Sequence, residues 1–206
     1  MRRLTITLIV ILFAPSLAEQ ANAVPFRGVE FPEGEVSFAD EVVSYIPGPG
    51  VGVLQMNPEE VLGIPDGTDS EGYVSLGDEG ELVLRFLDNS LTTSGDDTID
   101  LWIFEVGSVE PTAIAISTDG LDWINVGTIS GATSGVDIDA YTGDGVVLQE
   151  QYSYVKLTDL LPHTTGYPNT GADIDAVGAI SSGPPIPEPA TILFLAGGIL
   201  VLRHRR

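Results

Sequence analysis

The chain has 206 residues, no cysteine and a formal net charge of −22, because 30 acidic residues face only eight lysines and arginines. The absence of cysteine excludes disulfides and thiolate zinc sites. A field this negative repels nucleic acid and anionic lipid headgroups, and it favours divalent cations or basic surfaces as partners. The alternative is that the charge only keeps the chain soluble.

Residues 1–23 have the pattern of a signal peptide. A pair of arginines comes first, residues 4–14 are apolar apart from threonines, and Ala21 and Ala23 form a small-x-small cleavage pattern. The apolar run is short for a membrane span, so an uncleaved anchor is the weaker interpretation. We predict cleavage after Ala23 and export of the mature chain.

Residues 24–180 are rich in glycine and in short β-type runs, without a sustained 3.6-residue apolar period. Residues 82–86 alternate apolar side chains onto one face, whereas residues 101–104 are apolar on both faces, as in a central strand. The Asp-Gly pair within residues 118–122 predicts a hairpin turn. We predict one all-β domain, a two-sheet antiparallel β-sandwich of about eight to ten strands.

A single helical turn is predicted over residues 57–62. Asn57 suits the N-cap, Pro58 suits the first helical position, and two glutamates follow at the positive end of the helix dipole. The residues expected in the core between the two sheets are Leu82, Leu84, Phe86, Ile103, Ile114, Ile116, Trp123, Val155, Leu157 and Val177.

Short motifs are spread over residues 36–180. They lie at residues 38–48, 62–67, 74–77, 87–89, 100–106, 117–123, 154–159 and 171–177. Together they resemble a family of bacterial exported domains, and the Ser-x-Asp-Gly-x-x-Trp motif is also similar to discoidin-like domains of the galactose-binding jelly-roll group. The resemblance implies a jelly-roll sandwich at the cell surface, often with a structural calcium, and it implies no particular activity.

An oxygen-rich set of side chains in this domain fits a hard cation such as calcium, which takes roughly six to eight oxygen ligands. Two of its members, Asp173 and Asp175, are two residues apart and would share one face of a strand. The predicted ligands of a structural calcium are Asp88, Asp97, Asp100, Glu105, Asp173 and Asp175. The alternative is a solvated acidic surface in which Asp175 caps backbone amides.

A second acidic segment, residues 135–145, contains Asp137, Asp139 and Asp144. On a strand, Asp137 and Asp139 would lie on the same face. We interpret the segment as an edge strand whose charges prevent pairing with another chain, and a second metal site is the alternative.

The sequence carries no enzyme signature, since it lacks a Gly-x-Ser-x-Gly motif and places His163 in a loop context. A pair of carboxylates for glycoside hydrolysis can always be found among so many acids. The prediction is therefore a non-catalytic binding or structural module, with a two-carboxylate glycoside hydrolase as the alternative.

Carbohydrate recognition would need exposed aromatic rings beside polar groups. Trp102 and Trp123 are expected in the core. Tyr141, Tyr152 and Tyr167 lie near loops and are the better candidates for a sugar platform, although no spacing singles one of them out.

The C-terminal segment begins with a proline-rich linker, residues 181–189, which predicts an extended spacer. Residues 190–202 follow without a charge. As a helix they would reach about 20 Å, against about 30 Å for the hydrocarbon core of a bilayer. A basic stub, residues 203–206, ends the chain and favours a cytoplasmic position for that end.

The features of this segment occur in a fixed order: a Pro-Glu-Pro box, a short apolar helix and a basic stub. Their residues are Pro187, Glu188, Pro189, Arg203, Arg205 and Arg206. The order resembles the PEP-CTERM sorting signal of Gram-negative bacteria. The resemblance implies transient tethering in the inner membrane and cleavage by an exosortase-like protease. The mature protein would then lie at the cell surface or in the extracellular matrix, with extracellular polysaccharide as a candidate partner.

Overall fold

The computed structural model describes residues 23–68, 71–107, 110–160 and 170–187. Within these ranges the chain forms thirteen β-strands and four short 3₁₀ turns, and it forms no α-helix. The strands are β1 (Val24–Phe26), β2 (Val29–Phe31), β3 (Glu41–Ile46), β4 (Val74–Ser75), β5 (Glu81–Arg85), β6 (Ser90–Leu91), β7 (Leu101–Glu105), β8 (Thr112–Ser117), β9 (Ile124–Ile129), β10 (Thr133–Val136), β11 (Tyr154–Asp159), β12 (Asp173–Ala179) and β13 (Ser182–Gly183).

Two antiparallel sheets form the body. The larger has five strands in the order β3-β5-β11-β8-β9, and the smaller has four in the order β10-β7-β12-β4. Buried side chains from both sheets meet in one core, with Leu84 and Leu157 from the larger sheet and Ile103 and Val177 from the smaller. The predicted all-β fold, a two-sheet antiparallel β-sandwich, is confirmed.

Of the ten residues predicted to lie between the two sheets, all but Trp123 are buried. In β11, Val155 and Leu157 are buried, whereas Lys156 between them points outward. Its Nζ atom lies 4.7 Å from the centre of the Trp123 ring. Trp123 is only half-buried, so the prediction that it lies in the core was wrong. A cation over one face of an indole stabilises such a position at the surface.

The predicted hairpin is formed by β8 and β9, which pair antiparallel. In the connection, Asp119 Oδ1 accepts hydrogen bonds from Leu121 N at 2.8 Å and Asp122 N at 3.0 Å. Gly120 has a φ of 75°, a left-handed conformation that glycine adopts without steric cost. The Asp-Gly signal in the sequence therefore predicted the turn for the correct physical reason.

The predicted helical turn is also present, as the 3₁₀ turn Pro58–Val61. Asn57 is its N-cap, and the Oδ1 atom of Asn57 accepts a hydrogen bond from Glu59 N at 3.3 Å. The turn buries Val61 in the core and leaves both of its glutamates exposed.

A smaller aromatic cluster covers the outer face of the four-stranded sheet. Phe26 and Phe31 of the β1–β2 pair pack with Phe38 against Phe104 and Ala176. The rings of Phe31 and Phe38 lie 4.7 Å apart, centre to centre. Aromatic packing therefore fastens the start of the described chain to the sandwich.

The first part of the predicted spacer is docked on the body. Ser182–Gly183 forms β13, which pairs with β6, and Ser90 Oγ donates a hydrogen bond to Pro184 O at 2.8 Å. Strand pairing satisfies backbone groups that an extended linker would leave to water. Residues 181–184 therefore belong to the body, and the predicted extended spacer does not begin before residue 185.

Residues 1–22, 161–169 and 188–206 lie outside the described part of the chain. The predicted signal peptide, apart from its last residue, and the predicted tail fall in these ranges. None of the helices in the described ranges is long and apolar enough to cross a membrane.

Candidate cation site at the rim of the sandwich

Asp100 stands at the end of the loop that leads into β7, and its side chain is fully buried. Its Oδ1 accepts a hydrogen bond from Ser94 N at 2.8 Å, and its Oδ2 accepts one from Ile138 N at 2.9 Å. Burial raises the pKa of this carboxyl because the charged form loses solvation, and the hydrogen bonds oppose that shift. Asp100 thus ties the loop before β7 to the segment after β10.

Asp137 and Asp139 do not lie on a strand, because β10 ends one residue before Asp137. Asp137 caps the 3₁₀ turn Ile138–Tyr141, and its Oδ1 accepts a hydrogen bond from Asp139 N at 2.9 Å. Asp139 Oδ2 accepts from Gly95 N and Ser94 Oγ, each at 3.1 Å. The edge-strand interpretation holds for Gly135 and Val136, which end β10 at the edge of the smaller sheet. It is wrong from Asp137 onward, because an aspartate that caps the backbone after it favours a turn over a ladder.

These three carboxylates form a compact group. One oxygen from each of Asp100, Asp137 and Asp139 lies within 4.8 Å of the others. Beside them is an open cavity of about 370 Å³, lined by Asp97, Asp137 and Asp139 among others. Asp137 and Asp139 each use one oxygen in the hydrogen bonds described and keep the other for an ion. Oxygen ligands of this kind suit calcium or magnesium.

The six residues predicted to share one calcium are not brought together. Asp100 precedes β7 and Glu105 ends it, so five residues of extended chain place their Cα atoms about 16 Å apart. Asp173 and Asp175 belong to β12 at the Glu105 end of the ladder. Among the predicted six, Asp97 and Asp100 lie at the candidate site, and one shared ion is excluded by strand length.

Asp88 also lies apart from the candidate cation site, in the segment after β5. Burial and the charge of Asp40 raise the pKa of Asp88, and Asp40 Oδ2 accepts a hydrogen bond from Leu87 N at 2.7 Å. Asp40 therefore fastens the end of β5.

A β-bulge separates Asp173 from Asp175. The register of β12 against β7 shifts between Ile174 and Ala176, which leaves Asp175 as the extra residue. A bulge interrupts the two-residue alternation of a strand, so the expectation that both carboxylates share one face fails. Asp175 is buried, and its Oδ2 lies 2.6 Å from Arg27 Nη2 in an ion pair.

Glu105 and Asp173 form a separate acidic group with Glu110. The side chain of Glu105 is 2% exposed, and its Oε1 accepts a hydrogen bond from Glu110 N at 3.1 Å. Burial raises the pKa of Glu105 to about 9 and that of Asp173 to about 7, and the charge of Glu110 adds to both shifts. Without a cation beside it, Glu105 therefore holds its proton at neutral pH, and an ion bound there would have to displace that proton.

Two of the three tyrosines considered as sugar platforms have side chains held by packing or by a hydrogen bond. Tyr141 packs against the core, and Tyr152 is 1% exposed with its hydroxyl accepting a hydrogen bond from Val147 N at 2.9 Å. Trp102, which was also expected in the core, is only half-buried beside the outer aromatic cluster. Tyr167 and His163 lie outside the described residues.

No family model matches the chain, and no curated protein matches it. A solved structure that resembles it is the C-terminal domain of a chitobiase from Bacteroides fragilis, with 14% identity and a TM-score of 0.45. The match covers 75% of this chain and 98% of the chitobiase domain.

Proposed function

We propose that the chain is an exported, non-catalytic binding or structural module of the cell surface, and that calcium holds its rim loops together. The observation that supports a bound cation is the group of Asp100, Asp137 and Asp139, whose oxygens approach within 4.8 Å of one another. Three carboxylates at that separation repel each other unless a cation lies between them or some are protonated.

Calcium is the cation that this arrangement favours. Asp139 belongs to a 3₁₀ turn and Asp97 to an exposed loop, and such segments adapt to the irregular shell of six to eight oxygens that calcium accepts. Magnesium requires a tighter octahedral shell and releases its waters reluctantly. The open cavity beside the group leaves room for water molecules as the remaining ligands.

Calcium is expected to raise the melting temperature of the mature protein. An ion that binds only the folded state adds about 2.7 kcal/mol at a hundredfold excess over its Kd. For a domain of this size that corresponds to about 5–10 °C. The measurement is a thermal melt in chelator and then in millimolar calcium at constant ionic strength.

A matched pair of variants locates the ion. Asp139→Asn should reduce the calcium shift by more than half, whereas Asp144→Asn, an exposed neighbour with the same charge change, should leave it nearly unchanged. The proposed site is wrong if calcium gives no shift, if magnesium gives an equal one, or if both variants behave alike.

The non-catalytic part of the proposal is supported by the position of the acids with raised pKa. Glu105 is almost completely buried, and neither Glu105 nor Asp173 lines the described cavities of about 480, 370 and 330 Å³. A general acid must reach its substrate within hydrogen-bond distance. Glycoside hydrolysis is therefore the alternative, and no observation on the described residues favours it.

Export and sorting rest on the sequence pattern of residues 1–23 and 187–206. We expect protein from the native host to lack residues 190–206, because an exosortase-like protease would cut at the Pro-Glu-Pro box and the apolar run is short for a permanent anchor. Intact-mass measurement of the mature protein tests this directly.

Glu188→Ala should block that processing and leave a membrane-bound precursor. Glu150→Gln, an exposed acid outside the box, is the control and should be processed normally. Retention of the tail in the unsubstituted protein would contradict the sorting proposal.

A further inference from the structure

The last described residues, 181–187, run along the body of the sandwich, and we call them the C-terminal strap. Ser182–Gly183 forms β13 on β6, and Asn89 Nδ2 donates a hydrogen bond to Ser182 Oγ at 3.1 Å. One residue farther along, Ser90 Oγ donates to Pro184 O at 2.8 Å. Backbone pairing and side-chain hydrogen bonds therefore fasten the strap as far as residue 184.

Beyond residue 184 the strap leads into a cavity of about 330 Å³, which Ile186 and Pro187 help to line. Ile186 is half-buried, whereas the prolines on either side of it are exposed, so its side chain faces the body. The other described lining residues are Arg85, Thr118, Asp119, Ser153 and Tyr154. We call this cavity the Arg85 recess. The described chain therefore ends in the wall of the recess.

Arg85 supplies the positive charge of the recess. Its side chain is 18% exposed, and its Nη1 atom lies 3.5 Å from Glu41 Oε2. Its Cζ atom lies 5.1 Å from the centre of the Tyr154 ring, which holds the guanidinium over one aromatic face. A guanidinium carries five N–H donors in a planar fork, so Arg85 can pair with Glu41 and with a second carboxylate at the same time.

The charge pattern of the body favours an acidic occupant of this recess. Residues 24–187 hold three bases, and Arg85 is the one that lines the recess. The other two, Arg27 and Lys156, form ion pairs with carboxylates of the body and do not line it. The acid in the wall, Asp119, accepts backbone hydrogen bonds from its own turn. In a strongly acidic chain, a recess with a base in its wall attracts a neighbouring carboxylate.

The segment that follows the strap in the sequence is the Pro-Glu-Pro box. Glu188 comes directly after Pro187, and consecutive Cα atoms are about 3.8 Å apart, so Glu188 starts within one residue of the recess. Proline fixes φ, and Glu188 precedes Pro189, which biases it towards an extended conformation. A segment restricted in this way loses little conformational entropy when it binds.

We propose that the Arg85 recess binds the Pro-Glu-Pro box of the same chain, in which the carboxylate of Glu188 pairs with the guanidinium of Arg85. The folded body then shields the box. A protease binds the segment that it cuts in its own cleft, so the box has to leave the recess before it is processed. This consequence rests on the proposed sorting function, whereas the binding of the box to the recess does not.

A double-mutant cycle on the melting temperature tests the binding of the box. The protein is the chain of residues 24–189, which contains every described strand and the box. Glu188→Gln should lower the melting temperature by about 1–3 °C in the unsubstituted protein, and by less than about 0.5 °C in an Arg85→Gln background. Lys156→Gln is the matched control, because it removes a base of β11 that does not line the recess. In that background the effect of Glu188→Gln should stay at about 1–3 °C.

Three results would overturn the binding of the box within one chain. The first is that Glu188→Gln leaves the melting temperature of the unsubstituted protein unchanged. The second is an equal effect of Glu188→Gln in the Arg85→Gln and Lys156→Gln backgrounds, which would mean that only the net charge matters. The third is an effect that grows at tenfold higher protein concentration, which would assign the box to the recess of a second copy.

Processing in the native host tests the shielding. In a pulse-chase measurement, Arg85→Gln should raise the rate of conversion from precursor to mature protein about two- to fivefold, because a larger share of the precursor has its box outside the recess. Lys156→Gln should leave the rate unchanged. An unchanged or slower rate for Arg85→Gln, with the melting cycle as expected, would overturn the shielding. Failure of every protein to be processed, the unsubstituted one included, would contradict the sorting proposal, and the melting cycle would still decide whether the box binds the recess.

Discussion

Replacing Phe86 by alanine is expected to destabilise the domain by about 3–5 kcal/mol, the usual cost of emptying an aromatic core site. Phe86 directly follows β5 and is 1% exposed, and its backbone N–H donates to Ser153 O at 2.9 Å. The backbone is thus held in place and can collapse little into the space left by the ring. Urea denaturation at neutral pH measures the free energy of unfolding.

Leu87→Ala is the matched control, because Leu87 is the next residue and is 47% exposed. Its substitution should cost less than about 1 kcal/mol. A loss below about 1.5 kcal/mol for Phe86→Ala would show that the two sheets do not close around this ring.

Stability in chelator should fall as the pH rises from about 5 towards 9. The pKa of Glu105 is raised to about 9 and that of Asp173 to about 7, from ordinary values of 4.5 and 3.8. Between the ordinary and the raised value, the folded protein holds a proton that the unfolded chain has released. Stability is therefore highest below the ordinary pKa, and each such proton costs about 1.4 kcal/mol per pH unit above it.

Glu105→Gln should flatten this dependence, because glutamine keeps the shape of the protonated acid and cannot ionise. At pH 8 the variant should be more stable than the unsubstituted protein, by about 1–3 kcal/mol after allowance for relaxation around the charge. Glu30→Gln, at an exposed position on β2, provides the control and should leave the slope unchanged. A Glu105→Gln variant that is less stable at pH 8 would mean that Glu105 is charged and paired in the folded state.

The fold was predictable because its signals are local. Alternation of apolar residues marked β5 and β11, an apolar run marked the central strand β7, and Asp119-Gly120 marked the hairpin. The cap at Asn57 likewise depends on residues within one turn. In each case the physical cause lies within a few residues of its effect.

The candidate cation site was predictable only in part. Asp97 and Asp100 were among the predicted ligands, whereas Asp137 and Asp139 were placed on an edge strand. A local signal existed, since Asp137 precedes a segment in which its side chain can cap the backbone of Asp139. An alternating Asp-x-Asp pattern fits a strand and a capped turn equally well, and the contact with the loop before β7 decided between them.

The sequence by itself determined the class of fold and the sides of the main strands that face the core. It also determined the negative net charge, which attracts cations. Only the tertiary structure decided which carboxylates meet. The length of β7 holds Asp100 and Glu105 apart, and the bulge in β12 separates Asp173 from Asp175. It also decided that β13 docks on β6. These outcomes depend on strand register and on contacts between distant segments, which no pattern within a few residues encodes.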